Sequence, residues 1–319
     1  MARPDMERHK DLIEQRIARW CEELPPTGLY APMAYLMRLP AKRVRPALVL
    51  MGCELFGGRP EDALEEALGI ELFHNFTLMH DDIMDAAPLR RGLITVHEKW
   101  GVNTAILSGD AMLVKAYQAV GRYPEVHELF SRYALQVCEG QQQDMEFERR
   151  DDVTLAEYQE MIRLKTAVLL SCALRIGALL GGAKSEESER LGAFGEHVGL
   201  AFQLRDDLLD AFGDPARTGK QQGGDLRAGK KTCLLIRGLE LAAQNRTGIL
   251  REELSKRPED RDVSRMLGLL ETLGVREETE RECIRHHREA YAALRALQVP
   301  DERKAPLIAL ADRLVDRSS

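Results

Sequence analysis

Apolar residues recur at spacings of three and four along most of the chain, which is the pattern of amphipathic α-helices. Strand-like alternation is nearly absent, and prolines lie between the periodic segments, where they end helices. The pattern therefore predicts an all-α protein. The predicted helical segments are 6–24, 61–78, 104–117, 126–142, 155–180, 186–212, 233–243 and most of 251–316.

No flexible linker or low-complexity tract divides the 319 residues. We therefore expect a single helical domain over 1–319, although this length is slightly above the usual size of one core. The segment 213–231 is an exception to the helical pattern, because it is polar and rich in glycine. Loops of this kind often carry function.

Composition narrows the class of protein and its location. The net charge of −7 argues against a general nucleic-acid binder, which normally has a basic surface. The six cysteines occur singly, so we predict reduced core thiols rather than disulfides or a zinc site. The charged amino-terminal segment lacks the apolar stretch of a signal peptide, and the longest apolar run, 166–183, contains Arg175. We expect a cytoplasmic protein without a membrane span.

Two acidic pentapeptides of the form DDxxD stand out. Each lies in an apolar helical segment, Asp81–Asp85 in one and Asp206–Asp210 in the other. Residues i and i+4 of an α-helix lie about 40° apart around the axis and roughly 6 Å apart along it. The first and last aspartates of each motif are therefore predicted to share one helix face.

An acidic helix face is most often a solvated surface, but the neighbours argue otherwise here. No Lys or Arg lies three or four residues from these aspartates, where surface acids usually find a basic partner. The carboxylates therefore need a cation from elsewhere. Paired carboxylate oxygens suit Mg²⁺, whose octahedron is commonly completed by phosphate and water. This indicates a phosphorylated substrate.

Basic residues lie near both motifs and indicate phosphate binding, although a neutralising network of ion pairs is the alternative. They are Lys42, Arg43 and Arg45 before the first motif, Arg90 and Arg91 after it, Lys165 before the second motif, and Lys220, Lys230 and Lys231 after it.

Taken together, these motifs resemble those of trans-type prenyl diphosphate synthases of the polyprenyl synthetase family, which elongate isoprenoid chains head to tail. The matching positions are collinear from 42 to 232. They comprise Lys42–Pro46, Glu71–His74 through Asp85, Arg90–Gly92, Thr95–His97, Ser108–Asp110, Gly140–Gln141 with Asp144, Lys165–Thr166, Phe202–Gln203 with the second DDxxD, and Gly219–Lys220 with Gly223, Asp225 and Lys230.

The resemblance implies about ten core helices around a central cavity, usually in a homodimer, with the two acidic motifs facing each other across its mouth. It also implies three Mg²⁺ ions, with Asp81, Asp85 and Asp206 as direct ligands and Asp82, Asp207 and Asp210 close behind. The allylic diphosphate would be held by Arg90, Lys165, Lys220 and Lys230, and isopentenyl diphosphate by Lys42, Arg45, His74 and Arg91. Thr166 and Gln203 match positions beside the reacting carbons.

Product length is predicted from the residues before the first motif, which in the family set the floor of the cavity. Phe76 and Thr77 stand at these positions, and one aromatic residue there resembles geranylgeranyl synthases. A fifteen- or twenty-carbon product is expected, with twenty favoured. The alternative is that Phe76 is an ordinary core residue.

The chain departs from the family pattern at two places. Pro40–Ala41 replaces a usual glycine pair, and Leu93–Ile94 stands where a proline is common. Neither change removes a charged group.

Three other functions remain open. A class I terpene cyclase shares the fold and the first motif, but it normally carries an Asn/Ser/Glu metal motif in place of the second. A head-to-head synthase of the squalene or phytoene type would show different motif spacing. A non-catalytic subunit of another synthase would typically have lost motif acids, whereas all six are present here.

Overall fold

The computed structural model describes residues 5–214 and 222–315. Helices dominate these residues, which confirms the all-α prediction. The β-structure among them is one short antiparallel pair, β1 (Leu89–Arg90) and β2 (Leu93–Ile94), in which Leu89 lies opposite Ile94.

The chain forms two compact units. The first runs through Ala134 and includes Cys172–Gly192 and Leu297–Leu307. Its helices are α1 (Asp5–Glu23), α2 (Ala31–Met37), α3 (Val44–Leu55), α4 (Leu64–Met84), α5 (Val96–Trp100) and α6 (Val102–Val120), with a 3₁₀ turn at Pro60–Ala63.

The second unit comprises Leu135–Ser171, Ala193–Ala296 and the chain from Ile308 onward. Its helices include α8 (Leu155–Ile162), α11 (Gly224–Ala228), α12 (Cys233–Gln244), α13 (Ile249–Leu254), α14 (Val263–Thr272) and α15 (Val275–Arg295), with a π-helical turn at Arg163–Ala167 and a 3₁₀ turn at Pro258–Asp260.

Four helices contain residues of both units. They are α7 (Pro124–Phe147), α9 (Val168–Leu180), α10 (Ser185–Phe212) and α16 (Asp301–Val315). One domain over 1–319 stays a prediction.

The sequence pattern missed α3, which is buried around most of its circumference. Its residues from Pro46 to Cys53 are all buried. A helix that is apolar on every side has no amphipathic period, so spacing alone does not reveal it. The predicted helix 155–180 is also interrupted, because its middle adopts the π-helical turn.

All six cysteines are free thiols. Five are buried, as predicted, but Cys138 is exposed on α7, so the prediction of a core thiol is wrong for this residue. In the described part of the chain, every helix is too short or too polar to cross a membrane.

Candidate active site

The first acidic motif lies at the carboxyl end of α4. The helix ends at Met84, and Asp85 is the residue that caps it. The backbone N–H of Asp85 donates to the carbonyl of Asp81 at 2.9 Å, so the two residues lie one helical turn apart, as predicted. Asp81 is half-buried and Asp85 is exposed.

The middle residue of this motif has a different environment. The side chain of Asp82 is 2% exposed, and both of its oxygens accept hydrogen bonds from the guanidinium of Arg90, at 2.8 and 2.9 Å from Nε. The β1–β2 turn brings Arg90 back to the helix end. The cationic partner of this aspartate is therefore distant in the sequence rather than on the same helix. The role of Asp82 as a metal ligand stays a prediction.

Arg43 fixes the loop before α3. It has a left-handed backbone with φ of +50° and a buried side chain. The guanidinium donates to Glu71 at 2.6 Å, to Glu14 at 2.9 Å and to backbone carbonyls of the preceding segment, including that of Leu39. A buried guanidinium with charged partners on α1 and α4 holds the loop that carries Lys42 and leads into α3, where Arg45 stands.

Arg45 and His74 lie together, as the resemblance implies for two ligands of one substrate. Nη1 of Arg45 is 3.2 Å from Nε2 of His74. Burial lowers the pKa of Arg45 to about 10, which leaves it cationic at neutral pH. Burial and the nearby Arg45 charge hold the pKa of His74 well below its usual range. The imidazole is therefore neutral and accepts at Nε2, with its proton on Nδ1.

The other predicted diphosphate ligands of this unit are more open. Lys42 is exposed and belongs to the loop held by Arg43. Arg91 is exposed in the β1–β2 turn, with φ of +54°, and partial burial lowers its pKa.

The predicted chain-length residues lie on α4. Phe76 is buried, and its ring centroid is 5.6 Å from that of Phe73 and 4.8 Å from that of His80. The hydroxyl of Thr77 donates to the carbonyl of His74 at 2.8 Å. Phe76 is therefore packed among aromatic rings of α4, and its role in product length stays a prediction.

The second acidic motif lies near the carboxyl end of α10. Asp206 and Asp210 are half-buried, whereas Asp207 is buried. Asp207 accepts from the hydroxyl of Tyr158 and, at 3.3 Å, from the amide of Gln203. Burial raises the pKa of Asp207 to about 7 despite these two donors. Asp210 accepts from the backbone N–H of Asp225 at 3.0 Å and so anchors the start of α11.

Lys165 and Thr166 stand on the π-helical turn. Such turns often occur at functional sites, because the extra residue displaces the backbone and re-aims side chains. Two residues one turn apart on α7 contact this π-helical turn. A Cβ on Gly140 would lie 2.3 Å from the backbone nitrogen of Lys165, and Asp144 accepts from the Lys165 ammonium at 2.5 Å. The hydroxyl of Thr166 donates to Gln203 at 3.3 Å.

The basic residues after the second motif are only partly described. Lys220 lies outside the described residues. Lys230 is exposed just beyond α11, and its backbone N–H donates to the carbonyl of Asp225 at 2.9 Å.

The donor set fits Mg²⁺ at the accessible aspartates. Oxygen ligands are the ones Mg²⁺ takes, and it commonly uses one or two carboxylates together with phosphate and water. Among residues 5–214 and 222–315, no three Asp, Glu, His or Cys side chains converge into a metal-binding group.

Sequence reasoning missed Tyr158 and did not give Asp144 a role. Both act through contacts between residues far apart in the sequence, 49 positions in the first case and 21 in the second. No Asp or Glu lies within four residues of Lys165. Spacing along one helix therefore could not show that Asp144 meets Lys165 or that Tyr158 meets Asp207.

Comparison with known proteins agrees with the fold and the motifs. The chain is 36% identical to the short chain isoprenyl diphosphate synthase of Methanothermobacter thermautotrophicus, with 98% of this chain and 97% of the relative aligned. It is 35% identical to the geranylgeranyl pyrophosphate synthase of Geoglobus acetivorans, with 96% of each aligned. A crystal structure of geranylgeranyl pyrophosphate synthase matches with a TM-score of 0.93 at 40% identity, and both chains are fully covered.

The fold, the motifs and these similarities define a prenyltransferase. The family model described as polyprenyl synthetase matches residues 26–270, and the chain belongs to this family.

Proposed function

We propose that the chain condenses isopentenyl diphosphate head to tail with an allylic diphosphate and releases a short all-trans prenyl diphosphate, geranylgeranyl or farnesyl. The main observation in support of this proposal is the pair of DDxxD helices, each of which presents accessible carboxylates beside cationic side chains. In this proposal the allylic primer is dimethylallyl, geranyl or farnesyl diphosphate.

The chain's residues would act mainly by binding and orienting charge. Asp81, Asp85 and Asp206 would hold Mg²⁺, with Asp210 supporting them. Bound Mg²⁺, three ions in our proposal, would neutralise the negative charge that develops on the departing diphosphate. Lys165, on its π-helical turn, would hold the allylic diphosphate together with Arg90, Lys220 and Lys230.

The second substrate would be held by a separate set of donors. Lys42, Arg45 and Arg91 would bind isopentenyl diphosphate, and neutral His74 would present its Nδ1–H. The allylic C–O bond breaks, the double bond of isopentenyl diphosphate attacks the resulting cation, and a proton is lost to the released diphosphate. Thr166 and Gln203 would orient the reacting carbons. Apolar surroundings protect such a cation from water.

The state of assembly and the location form part of the proposal. Helix α6 carries exposed apolar side chains at Val102, Ile106, Leu107 and Val114, and we assign this face to a homodimer contact. Leu107→Glu is expected to give monomers in analytical ultracentrifugation, while a wild-type monomer would contradict the assignment. Six free thiols favour the reducing cytoplasm.

The test incubates the purified chain with labelled isopentenyl diphosphate and each primer in turn, with Mg²⁺ or with chelator. We expect chelator-sensitive elongation and a twenty-carbon main product. Asp81→Ala and Asp206→Ala should each lower turnover by about 100-fold or more, because each removes a group that stabilises transition-state charge. Asp260→Ala, at an exposed aspartate of a 3₁₀ turn, is the matched control.

Two results would overturn the proposal. A hydrocarbon formed from an allylic diphosphate alone would indicate a terpene cyclase. The absence of elongation with every primer would indicate a subunit that tunes another synthase.

A further inference from the structure

Tyr158 donates to one of the two middle aspartates and is not among the residues that the sequence assigns to the site. It lies on α8 and is 2% exposed, and Asp207 on α10 is 4% exposed. The tyrosine hydroxyl donates to Oδ2 of Asp207. A buried carboxylate needs such donors, because burial removes its water.

The same carboxylate continues a chain of hydrogen bonds. Its other oxygen, Oδ1, accepts from Nε2 of Gln203 at 3.3 Å. The amide oxygen of Gln203 accepts from the Thr166 hydroxyl, also at 3.3 Å. Each bond fixes the orientation of the next group, because the amide has one donor end and one acceptor end.

The direction of this chain determines what Thr166 can offer. Since its only hydroxyl proton goes to Gln203, the Thr166 oxygen is left to act as an acceptor. If the Asp207 carboxylate turned, the Gln203 amide could rotate with it, and the Thr166 proton would lose its partner. The orientation of two predicted site residues therefore depends on Tyr158.

We propose that Tyr158 is a positioning residue, whose hydroxyl orients Asp207 and, through Gln203, the Thr166 hydroxyl beside the reacting carbons. This inference rests on the proposed prenyl transfer. Tyr158 itself touches no substrate in this scheme, and its effect passes through the side chains of α10 and the π-helical turn.

The test compares Tyr158→Phe with Tyr291→Phe in the full chain. Tyr291 provides a matched control, because its hydroxyl donates to Asp312 at 2.6 Å in the same unit and it belongs to no predicted site. Both variants lose one tyrosine–aspartate hydrogen bond, so both should lower the melting temperature. We expect kcat to fall about tenfold in Tyr158→Phe alone, while KM for isopentenyl diphosphate changes less than about twofold.

A second readout does not need turnover. Isothermal titration calorimetry with inorganic diphosphate and Mg²⁺ should show weaker binding by Tyr158→Phe, while Tyr291→Phe should match the wild type. Adding Tyr158→Phe to Asp207→Asn should cost no further activity, since the tyrosine acts through that aspartate.

The outcomes separate the two proposals. If Tyr158→Phe loses only thermal stability, as Tyr291→Phe does, the positioning role is overturned. If the wild type fails to elongate any primer but the calorimetric difference remains, prenyl transfer fails and the positioning of the diphosphate site stands. If the wild type neither elongates nor binds diphosphate, both proposals fall.

Discussion

The close approach of α7 to the π-helical turn gives a sharp test of how Lys165 is placed. Gly140 has no side chain where the turn passes, and a Cβ there would lie 2.3 Å from the Lys165 nitrogen and 2.7 Å from the Leu164 carbonyl carbon. Ordinary contact begins at 3.4 Å, so Gly140→Ala must separate the two backbones by about 1 Å. The obstacle is backbone, which cannot swing aside as a flexible side chain can.

Two magnitudes follow from that displacement. Overpacking of a well-packed core costs about 1–3 kcal/mol of folding stability. This leaves a typical domain folded at 25 °C, since such domains have about 5–15 kcal/mol to lose. A misplacement of about 1 Å at a group that orients substrate costs about 100-fold in rate. We therefore expect Gly140→Ala to fold at 25 °C but to elongate primer about 100-fold more slowly.

Gly268→Ala is the matched control for this change. Gly268 is an interior residue of α14, and nothing lies within 4 Å of the Cβ that alanine would add. Alanine in an open helical position should stabilise the chain by about 0.5–1 kcal/mol. Urea unfolding should show lower stability for Gly140→Ala and higher stability for Gly268→Ala. Steady-state elongation should be slower in Gly140→Ala and should stay at the wild-type rate in Gly268→Ala. Wild-type turnover by Gly140→Ala would refute the claim that this glycine places Lys165.

Two further predictions concern α4 and α15. Phe76→Ala should lengthen the product by one or more isoprene units, measured by sizing the labelled products. Phe73→Ala, which removes a fully buried neighbour, should lower the stability of the chain without lengthening the product. A Phe76→Ala product of wild-type length would make Phe76 an ordinary core residue. Burial lowers the pKa of His286 to about 4, and its Nδ1 lies 3.0 Å from Nδ1 of His197. As the pH falls below 6.5, the unfolded chain therefore protonates this histidine before the folded chain does. Relative to His286→Asn, the wild type should lose roughly 3 kcal/mol of unfolding free energy between pH 6.5 and 4, and parallel pH curves in urea unfolding would contradict this.

The sequence predicts local features of this protein well, because helical period and motif spacing are local. The amphipathic helices and the one-turn separation of Asp81 and Asp85 follow from the 3.6-residue repeat. The π-helical turn does not, since the apolar pattern of 155–180 continues through it. Gly140, on another helix, lies against this turn, and the sequence alone does not show that contact.

Partners far apart in the sequence were likewise hidden. Arg90 reaches Asp82 only because a two-stranded turn reverses the chain, and Arg43, whose own backbone is left-handed, donates to Glu71, 28 positions away. A neutralising network of ion pairs is the alternative to phosphate binding for the basic residues. The structure shows such pairing at Arg90 and also at Lys165, whose partner is Asp144.

The two acidic motifs are alike in sequence but are anchored differently. Because successive helical residues lie about 100° apart, the second aspartate of each motif must point away from the face shared by the first and the last. In both units that second aspartate is buried. The donor that it meets is a charged guanidinium at Asp82 and a neutral phenol at Asp207. Burial raises the pKa of Asp207 to about 7, although the phenol donates to it. The shared pentapeptide therefore places its first and last aspartates one turn apart in both helices, while residues distant in the sequence determine which donor holds the second aspartate.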